Sequence, residues 1–300
     1  MTTSEAGGGA DKPGVLYVCA TPIGNLEDVT LRVLRILKEA DVIAAEDTRR
    51  SRKLLAHYGI KTPLISCHEH NERRRAGELL RRLRSGQNVA LVSDAGLPGI
   101  SDPGAAVIRA ARAARIEVDV LPGPSAGVTA LVLSGLPAEQ FLFLGFPPAA
   151  RGARQKALKE LDGTPYTLVF YEAPHRLTAT LGDMAARWPE RRAAVARELT
   201  KLHQDLRAGT VRELAEHFTA CPPKGECCLL VAPADPSPAA PVPARAVLAR
   251  LEELAAAGLG AKEARATAAA EYGMSKNEIY RLYLEGKKGN VESGEWRVES

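Results

Sequence analysis

The sequence predicts an α/β protein with two α/β domains and a small C-terminal helical extension. Short apolar runs alternate with amphipathic stretches along most of the chain, which indicates that strands alternate with helices. A segment with four prolines among eleven residues, 234–244, ends this alternation. Beyond it the pattern predicts only short helices, so the last part of the chain is expected to form a separate helical domain.

The first predicted domain, residues 14–123, contains five short apolar runs bounded by turn residues. Strands are predicted at 15–20, 41–46, 63–67, 88–93 and 117–123, and helices at 26–40, 51–58, 71–84 and 105–114. In the first helix, Leu31, Leu34 and Leu37 fall on one stripe. Because strands that alternate with helices usually form parallel sheets, we expect a mostly parallel sheet with helices on both faces.

The second predicted domain, residues 124–233, is expected to repeat this style. Strands are predicted at 141–146, 167–174, 192–200 and 226–233, and helices at 125–134, 175–187 and 210–218. The proline-rich segment 234–244 is a linker by composition. It leads to a small helical domain, 245–285, with helices predicted at 246–257, 261–272 and 275–284. The polar ends of the chain, 1–13 and 286–300, are expected to be loose tails.

The composition is that of an ordinary globular protein, with 45% hydrophobic and 25% charged residues. No apolar run approaches the ~20 residues that cross a bilayer, and the N-terminal segment lacks the apolar core of a signal peptide. The five cysteines have no CxxC spacing, which favours reduced thiols over a disulfide framework or a zinc site. The "CHEH" segment, 67–70, lacks the HExxH spacing. We therefore expect a cytoplasmic protein with no membrane partner and no metal.

Arginine is concentrated in two parts of the chain, although the net charge is only +4. One cluster lies at 49–53, and a denser one, with six arginines, lies at 73–84. Such clusters are typical of sites that bind nucleic-acid phosphates. The alternative is a solvated helix face coated with arginine. A run of charged residues, taken alone, favours this alternative.

The loop that follows the fourth predicted strand is unusually poor in side chains. The stretch "LVSDAGLPGISDPG", 91–104, continues for about ten residues past the strand, longer than most connections in α/β units. It contains no GxxxxGK[ST] motif, no GxGxxG that opens a helix, and no lysine. Since ligands of open α/β sheets bind at the carboxyl ends of strands, we expect main-chain groups of this loop to hold one. A neutral base joined to an amino-acid zwitterion would suit such a loop.

Eight segments in order carry a resemblance to a known family. They are "LYVCATPIGNLEDVTLRVL", "AAEDTR", "VSDAGLPGISDPG", "LPGPSAGVTAL", "GFPP", "FYEAPHRL", "ARELTKLHQ" and "KGE", spread over residues 15–226. Together they resemble the tetrapyrrole-methylase superfamily, and within it the branch that methylates the 2′-hydroxyl of a cytidine in small-subunit (16S) ribosomal RNA. The resemblance implies two α/β domains of the tetrapyrrole-methylase type (class III methyltransferase). It also implies S-adenosylmethionine as methyl donor in a cleft between the domains, and a homodimer.

The resemblance also implies a set of cofactor-binding residues. They are Pro22, Asp94, Ala95, Gly96, Ile100, Ser125, Ala126, Tyr171, Glu172 and Leu199. Relatives that methylate tetrapyrroles carry GGDP in the loop, where this chain has SDAG and an insertion before "ISDPG", so the match there depends mainly on Asp94. Structural alternatives remain open for three residues, because Pro22 could end a strand, Ser125 could cap a helix, and Tyr171 could be a core aromatic.

A ribose 2′-hydroxyl is a poor nucleophile, so a general base is expected beside it. Candidates at the predicted cleft mouth are Glu46, Asp47 and His175, although a histidine at the start of a helix can equally face solvent. Candidates for the RNA phosphates are Arg49, Arg73, Arg74, Arg75 and Arg176.

Two other functions fit part of the pattern. One is methylation of a tetrapyrrole or another small molecule, which would need neither the arginine clusters nor the C-terminal helices. The other is a non-catalytic RNA-binding protein, which would keep the basic faces but lose the cofactor loop. The intact loop argues against this last alternative.

Overall fold

The computed structural model describes residues 12–234 and 243–292. Most of the predicted N-terminal tail and linker, and residues 293–300 of the predicted C-terminal tail, lie outside these ranges. The chain divides into two compact units, Met1–Asp235 and Pro236–Ser300.

A five-stranded sheet forms the first half of the larger unit. Its strands are β1 (Leu16–Cys19), β2 (Val42–Ala45), β3 (Leu64–Ser66), β4 (Val89–Val92) and β5 (Val118–Leu121). All neighbours are parallel, in the order β3-β2-β4-β1-β5. The helices are α1 (Leu31–Glu39), α2 (Thr48–His57), α3 (Glu72–Arg84) and α4 (Ala105–Ala113).

Helices cover both faces of this sheet, as the sequence predicts. Buried residues of α1 and α2, such as Leu37 and Leu55, pack on one face. On the other face, Leu79 of α3 and Val107 of α4 are buried against the strands. Strands β2 and β4 in the interior of the sheet are apolar and buried along their whole length, which is typical of parallel sheets covered on both sides.

The first helix is shorter than predicted, and its buried stripe is different. Residues Leu26–Asp28 form a 3-10 turn, and α1 begins after Thr30, whose side chain accepts a hydrogen bond from the Val33 amide. The cap fixes where the helix begins, and the buried face consists of Val33, Ile36 and Leu37. The predicted stripe was wrong at Leu31, which is 86% exposed.

The second half of the larger unit has a different architecture from the first. Its elements are α5 (Ala126–Ser134), β6 (Phe141–Gly145), α6 (Arg151–Lys159), β7 (Thr167–Glu172), α7 (Pro174–Ala185), β8 (Arg192–Arg197), β9 (Asp205–Thr210), α8 (Val211–Ala220) and β10 (Cys227–Val231). The strand order is β6-β7-β10-β8-β9, and only β6 and β7 are parallel neighbours. The expectation that this half repeats the style of the first was therefore wrong for strand direction.

Two elements of this half were not predicted. Strand β9 lies at the edge of the sheet, and most of its residues are polar or partly exposed, so it lacks the apolar run that reveals a strand. Helix α6 buries only Arg154 and Leu158, which leaves little apolar periodicity. The buried guanidinium of Arg154 is neutralised by Asp183 of α7, at 2.6 Å.

The smaller unit is helical, as predicted. Its helices are α9 (Ala244–Ala256), α10 (Ala261–Tyr272) and α11 (Lys276–Glu292). They enclose a core of their own, to which Val247, Leu251, Ala268 and Ile279 contribute. Helix α11 continues to Glu292, where the sequence predicts a loose tail from residue 286. Extending an existing helix needs no new nucleus, so a polar segment that would not form a helix alone can continue one.

The side-chain-poor loop after β4 is fixed at both ends. Near its start, Thr21 and Gly96 exchange two backbone hydrogen bonds of 2.8 and 2.9 Å. At its end, the Glu72 carboxylate accepts hydrogen bonds from the amides of Gly104 and Ala106, at 2.7 and 2.8 Å. Gly104 has φ +131°, and a Cβ there would lie 3.1 Å from Leu91. The loop is therefore a defined structure that requires glycine at this position.

We expect Gly104→Ala to lower the free energy of unfolding by roughly 1–3 kcal/mol, because alanine is strained at this φ and crowds the loop. Gly77→Ala is the matched control. Gly77 lies inside α3, and a Cβ added there would meet no atom within 4 Å, so alanine should stabilise that helix by roughly 0.5–1 kcal/mol. Chemical denaturation of both variants measures the difference, and equal effects would contradict this view of the loop.

Candidate active site

A cavity of about 330 Å³ lies where the two halves of the larger unit meet. Its walls come from the loop after β4, the start of α5, the end of β7, the segment after β8 and the start of β10. The volume is at the lower end of the range of small-molecule sites. The halves are also joined by an apolar cluster, in which Ile23 packs with Ala130, Leu131 and Leu199.

Most of the predicted cofactor-binding residues line this cavity. These are Ala95, Gly96, Ile100, Ser125, Ala126, Tyr171, Glu172 and Leu199. The other two, Pro22 and Asp94, are not among the wall residues. Pro22 follows Thr21, which pairs with Gly96, so it supports the loop from the side of β1. The structure thus brings together residues that are up to about a hundred positions apart.

Tyr171 stands at the end of β7 and closes one side of the cavity. Its hydroxyl accepts a hydrogen bond from the Gly127 amide at 3.2 Å, and Phe143 and Phe146 contact its ring edge-to-face. Burial raises the pKa of the Tyr171 hydroxyl. Ser125 occupies the N-cap position of α5, but its side chain makes no capping hydrogen bond. Its hydroxyl is therefore available on the cavity wall.

Glu172 is buried, and both of its carboxylate oxygens have hydrogen-bond partners. Its carboxylate accepts hydrogen bonds from Thr180 Oγ1 at 2.6 Å and from the Ala173 amide at 2.9 Å. The Arg176 guanidinium forms an ion pair with it at 3.2 Å and also donates to the Pro147 carbonyl. The same contacts hold Arg176, whose role in binding RNA stays a prediction. This group fixes the end of β7 to the first turns of α7.

Asp94 lies behind the loop and joins the carboxyl ends of β4 and β2. Its carboxylate accepts a hydrogen bond from the Asp47 amide at 3.0 Å and pairs with Arg50 at 3.2 Å. In return, the Asp94 amide donates to the Glu46 carboxylate at 3.2 Å. Burial, together with the charge of Asp94, raises the pKa of Glu46, although the hydrogen bond from the Asp94 amide opposes the shift.

None of the three predicted base candidates belongs to the cavity wall. Asp47 caps α2, and hydrogen bonds from Arg49 hold the pKa of its carboxyl below the usual range. His175 is exposed in the first turn of α7. Glu46 is tied to the Asp94 amide. Their roles as base stay untested predictions.

The segment after β8 has a strained backbone next to the cavity. Glu198 and Thr200, on either side of Leu199, have φ of +48° and +63°. Such conformations cost roughly 1–3 kcal/mol each in residues other than glycine, and they cluster at functional sites. The strain is supported by hydrogen bonds, because Glu198 accepts from the Glu226 amide at 3.0 Å and Thr200 Oγ1 accepts from the Asn25 amide at 3.0 Å.

Sequence reasoning missed two acidic wall residues, Asp102 and Glu226. Burial and the nearby charges of Glu46, Asp94 and Glu226 raise the pKa of Asp102 to about 7. The sequence does point to Asp102, because it is the second acid in the loop that follows β4. Nothing in the sequence indicates that Glu226 lies beside it.

Four of the five predicted RNA-binding arginines lie in the first turns of α2 and α3, and the fifth, Arg176, lies in α7. Arg73 and Arg74 are exposed in the first turn of α3, directly after Glu72, which holds Gly104. Arg75 pairs with Glu78 of the same helix. Arg49, in the first turn of α2, pairs with Asp47 and remains 83% exposed. These arginines therefore stand next to residues that contact the two ends of the loop, Asp47 at its start and Glu72 at its end.

Residues 12–234 and 243–292 contain neither a membrane span nor a metal centre. No helix there is both long enough and apolar enough to cross a bilayer. The same residues contain no group of three or more histidine, cysteine or acidic side chains placed to hold a metal ion. All five cysteines are free, and Cys227 and Cys228 border the cavity.

Several curated proteins are similar to this chain over nearly its whole length. A protein of Synechocystis sp. named ribosomal RNA small subunit methyltransferase I is 45% identical, over 91% of this chain and 98% of its own length. Proteins of the same name from Mesorhizobium japonicum and Escherichia coli O157:H7 are 46% and 45% identical, each over 91% of this chain and over 92% and 95% of their own lengths.

Solved structures agree with this relationship. Uroporphyrin-III-C-methyltransferase from Thermus thermophilus is 25% identical with a TM-score of 0.52, and covers 74% of this chain and 95% of its own. The methyltransferase CobJ shares the fold at 23% identity, with a TM-score of 0.58 and coverage of 74% and 95%. The model of the family "Tetrapyrrole (Corrin/Porphyrin) Methylases" matches residues 15–215, which include the first sheet, four of the five strands of the second sheet and most of the cavity wall. The chain therefore belongs to the tetrapyrrole methylase family.

Proposed function

We propose that this protein transfers a methyl group from S-adenosylmethionine to the 2′-hydroxyl of a cytidine in the 16S rRNA of the small ribosomal subunit. The observation that carries the proposal is the cavity, whose wall includes the side-chain-poor loop, together with the exposed arginines at the starts of α2 and α3. The substrate class comes from the relatives, which are named for the small ribosomal subunit. Because that subunit is cytoplasmic, we also propose a cytoplasmic location.

The cavity fits such a donor in size and in chemistry. Residues 95–97 of the side-chain-poor loop line the cavity, and the Ser125 hydroxyl is not used for capping. Tyr171 and Phe146 offer aromatic faces, and Asp102 and Glu226 offer negative charge, both of which attract a cation. When bound, S-adenosylmethionine supplies an electrophilic methyl group on a positively charged sulfur.

The residues of the chain then have to position the acceptor and exclude water. Transfer of this kind gains most from orientation of the two reacting atoms, for which the fixed loop and the clamped segment after β8 provide rigid walls. In this proposal, the exposed arginines at the starts of α2 and α3 bind RNA phosphates.

The direct test is incubation of the protein with radiolabelled S-adenosylmethionine and small ribosomal subunits that lack the modification. We expect label at a ribose of 16S rRNA. Ala126→Trp should abolish it by filling the cavity, whereas Ala220→Trp, at an exposed position on α8, should not. Label in a porphyrinogen would favour a tetrapyrrole methylase instead. No transfer, with RNA binding retained, would favour the non-catalytic alternative.

The arginines of α3 give a second test. We expect Arg73→Glu combined with Arg74→Glu to weaken binding to the subunit and to flatten its salt dependence, since fewer counterions are released from the RNA. A matched control is Lys156→Glu with Lys159→Glu on α6, which changes the net charge equally. Filter binding at several salt concentrations compares them. If binding depends on salt equally in both variants, the α3 arginines form a solvated face that does not contact the RNA.

We also propose that the protein is a homodimer, which the family resemblance implies. Helix α5 is apolar on most sides and leaves Val128 and Val132 49% and 73% exposed. At the edge of the second sheet, Phe141 of β6 is 42% exposed. Exposed apolar surface of this kind is typical of subunit interfaces.

The dimer proposal predicts the effect of one added charge. Val132→Glu should shift the protein toward monomer in sedimentation experiments, because a carboxylate would be buried without a partner. Leu31→Glu introduces the same charge at an exposed residue of α1 and should leave the sedimentation unchanged. A Val132→Glu protein that sediments like the unmodified one would contradict this interface.

A further inference from the structure

Three acidic side chains belong to the cavity wall: Asp102, Glu172 and Glu226. Two of them are engaged, since Glu172 bonds Thr180 and pairs with Arg176, and Glu226 pairs with Lys201 at 3.1 Å. Asp102 forms no hydrogen bond and no ion pair with any residue of the described chain. Its oxygens are therefore free to bind a group that enters the cavity.

The backbone holds Asp102 in place without using its side chain. Ser101 before it has φ +62°, and Pro103 after it has a φ fixed by its ring. The Pro103 carbonyl accepts a hydrogen bond from the Gly99 amide at 3.2 Å, and Gly104 is held by Glu72. A side chain on such a rigid support keeps its orientation before substrate arrives, which is what a catalytic group requires.

The groups that face Asp102 determine its charge. Glu46 and Asp94 from the first sheet and Glu226 from the second repel a proton-free carboxylate, and Tyr171 also lies within its electrostatic influence. Together with burial they raise the pKa of Asp102 to about 7. A general base is most effective when its pKa is close to the working pH. Asp47, by contrast, has a lowered pKa and is occupied by Arg49.

We propose that Asp102 is the catalytic base, whose carboxylate accepts the proton of the ribose 2′-hydroxyl. This inference rests on the proposed function. The hydroxyl oxygen forms the new bond to the methyl carbon as the carbon–sulfur bond breaks. The electron pair of that bond stays on sulfur, which becomes a neutral thioether, and the proton moves to Asp102 Oδ. No oxidant, reductant or metal enters this balance.

Asp102→Asn is the first test, because asparagine keeps the shape but cannot accept the proton. We expect kcat for rRNA methylation to fall by about 10²–10⁴-fold, while the Kd for S-adenosylhomocysteine from calorimetry changes less than about 3-fold. Asp28→Asn, at an exposed aspartate of the 3-10 turn, should leave both unchanged. Full kcat in Asp102→Asn would overturn the assignment, and so would an equal loss of cofactor affinity.

The pH dependence of kcat gives a sharper readout. In the unmodified enzyme kcat should rise with pH up to about 7 and then level off, since only the proton-free Asp102 is active. Glu226→Gln removes one repelling charge and should move this rise to lower pH. An unmoved rise in Glu226→Gln, or a rise that persists in Asp102→Asn, would overturn the assignment.

A test without activity uses the stability of the unliganded protein. Asp102 has a higher pKa in the folded chain than the ~3.9 of an unfolded one. Its contribution to stability is therefore full below about pH 4 and is lost as the pH rises through 7. We therefore expect the Tm of Asp102→Asn, relative to that of the unmodified protein, to increase as the pH rises from 5 to 8. A difference in Tm that stays constant over this range would overturn the proposal.

These measurements separate the two proposals. If the unmodified protein labels no rRNA under any condition, the proposed function fails, and the assignment of Asp102 fails with it. If rRNA is labelled and Asp102→Asn behaves like the unmodified enzyme, only the assignment of Asp102 fails.

Discussion

The pinned loop after β4 is the constraint on which the rest of the site depends. A long loop with few side chains would normally sample many conformations. Ordering such a loop when a ligand binds would cost conformational entropy and would weaken the affinity for the ligand. Here the pairing of Thr21 with Gly96 holds its start, and the bonds from Gly104 and Ala106 to Glu72 hold its end. The loop can therefore expose its backbone without being mobile. Glu72 also begins α3, so the cavity wall and the first exposed arginines share one anchor.

The second half of the larger unit completes the cavity by a different means. Its sheet is mostly antiparallel, so the ends of β7 and β8 and the start of β10 meet at one edge. There Glu198 and Thr200 adopt strained conformations and bond both to β10 and to the β1–α1 connection. A parallel sheet would have placed the start of β10 at the opposite edge, away from Leu199. The change in strand direction thus brings Glu226 next to the loop of the first half.

The sequence predicted those parts of the molecule that depend on local patterns. The parallel first sheet follows from buried apolar runs separated by amphipathic helices, and the loop follows from its lack of large side chains. Family motifs then placed residues such as Ser125 and Tyr171, which the structure brings to one cavity. Strand β9 was missed because a polar edge strand has no apolar signature. The buried face of α1 was predicted only in part, because apolar residues of this helix fall on more than one stripe. The raised pKa of Asp102 could not be predicted from local patterns, since it arises from burial and from acids such as Glu46 and Glu226, which are distant in sequence.

The distribution of charge around the site has a consequence for the order of binding and release. Asp102, Glu172 and Glu226 belong to the cavity wall, whereas exposed arginines stand in the first turns of α2 and α3. Under the proposed function, the negative charge of the wall attracts a cationic donor more strongly than the neutral thioether that remains after transfer. Under the proposed function, the exposed arginines attract the RNA backbone, whereas the wall acids repel it from the cavity. The proposal therefore predicts that the phosphates stay outside the cavity while one ribose reaches inward, and that loss of the positive charge on sulfur weakens binding of the spent cofactor.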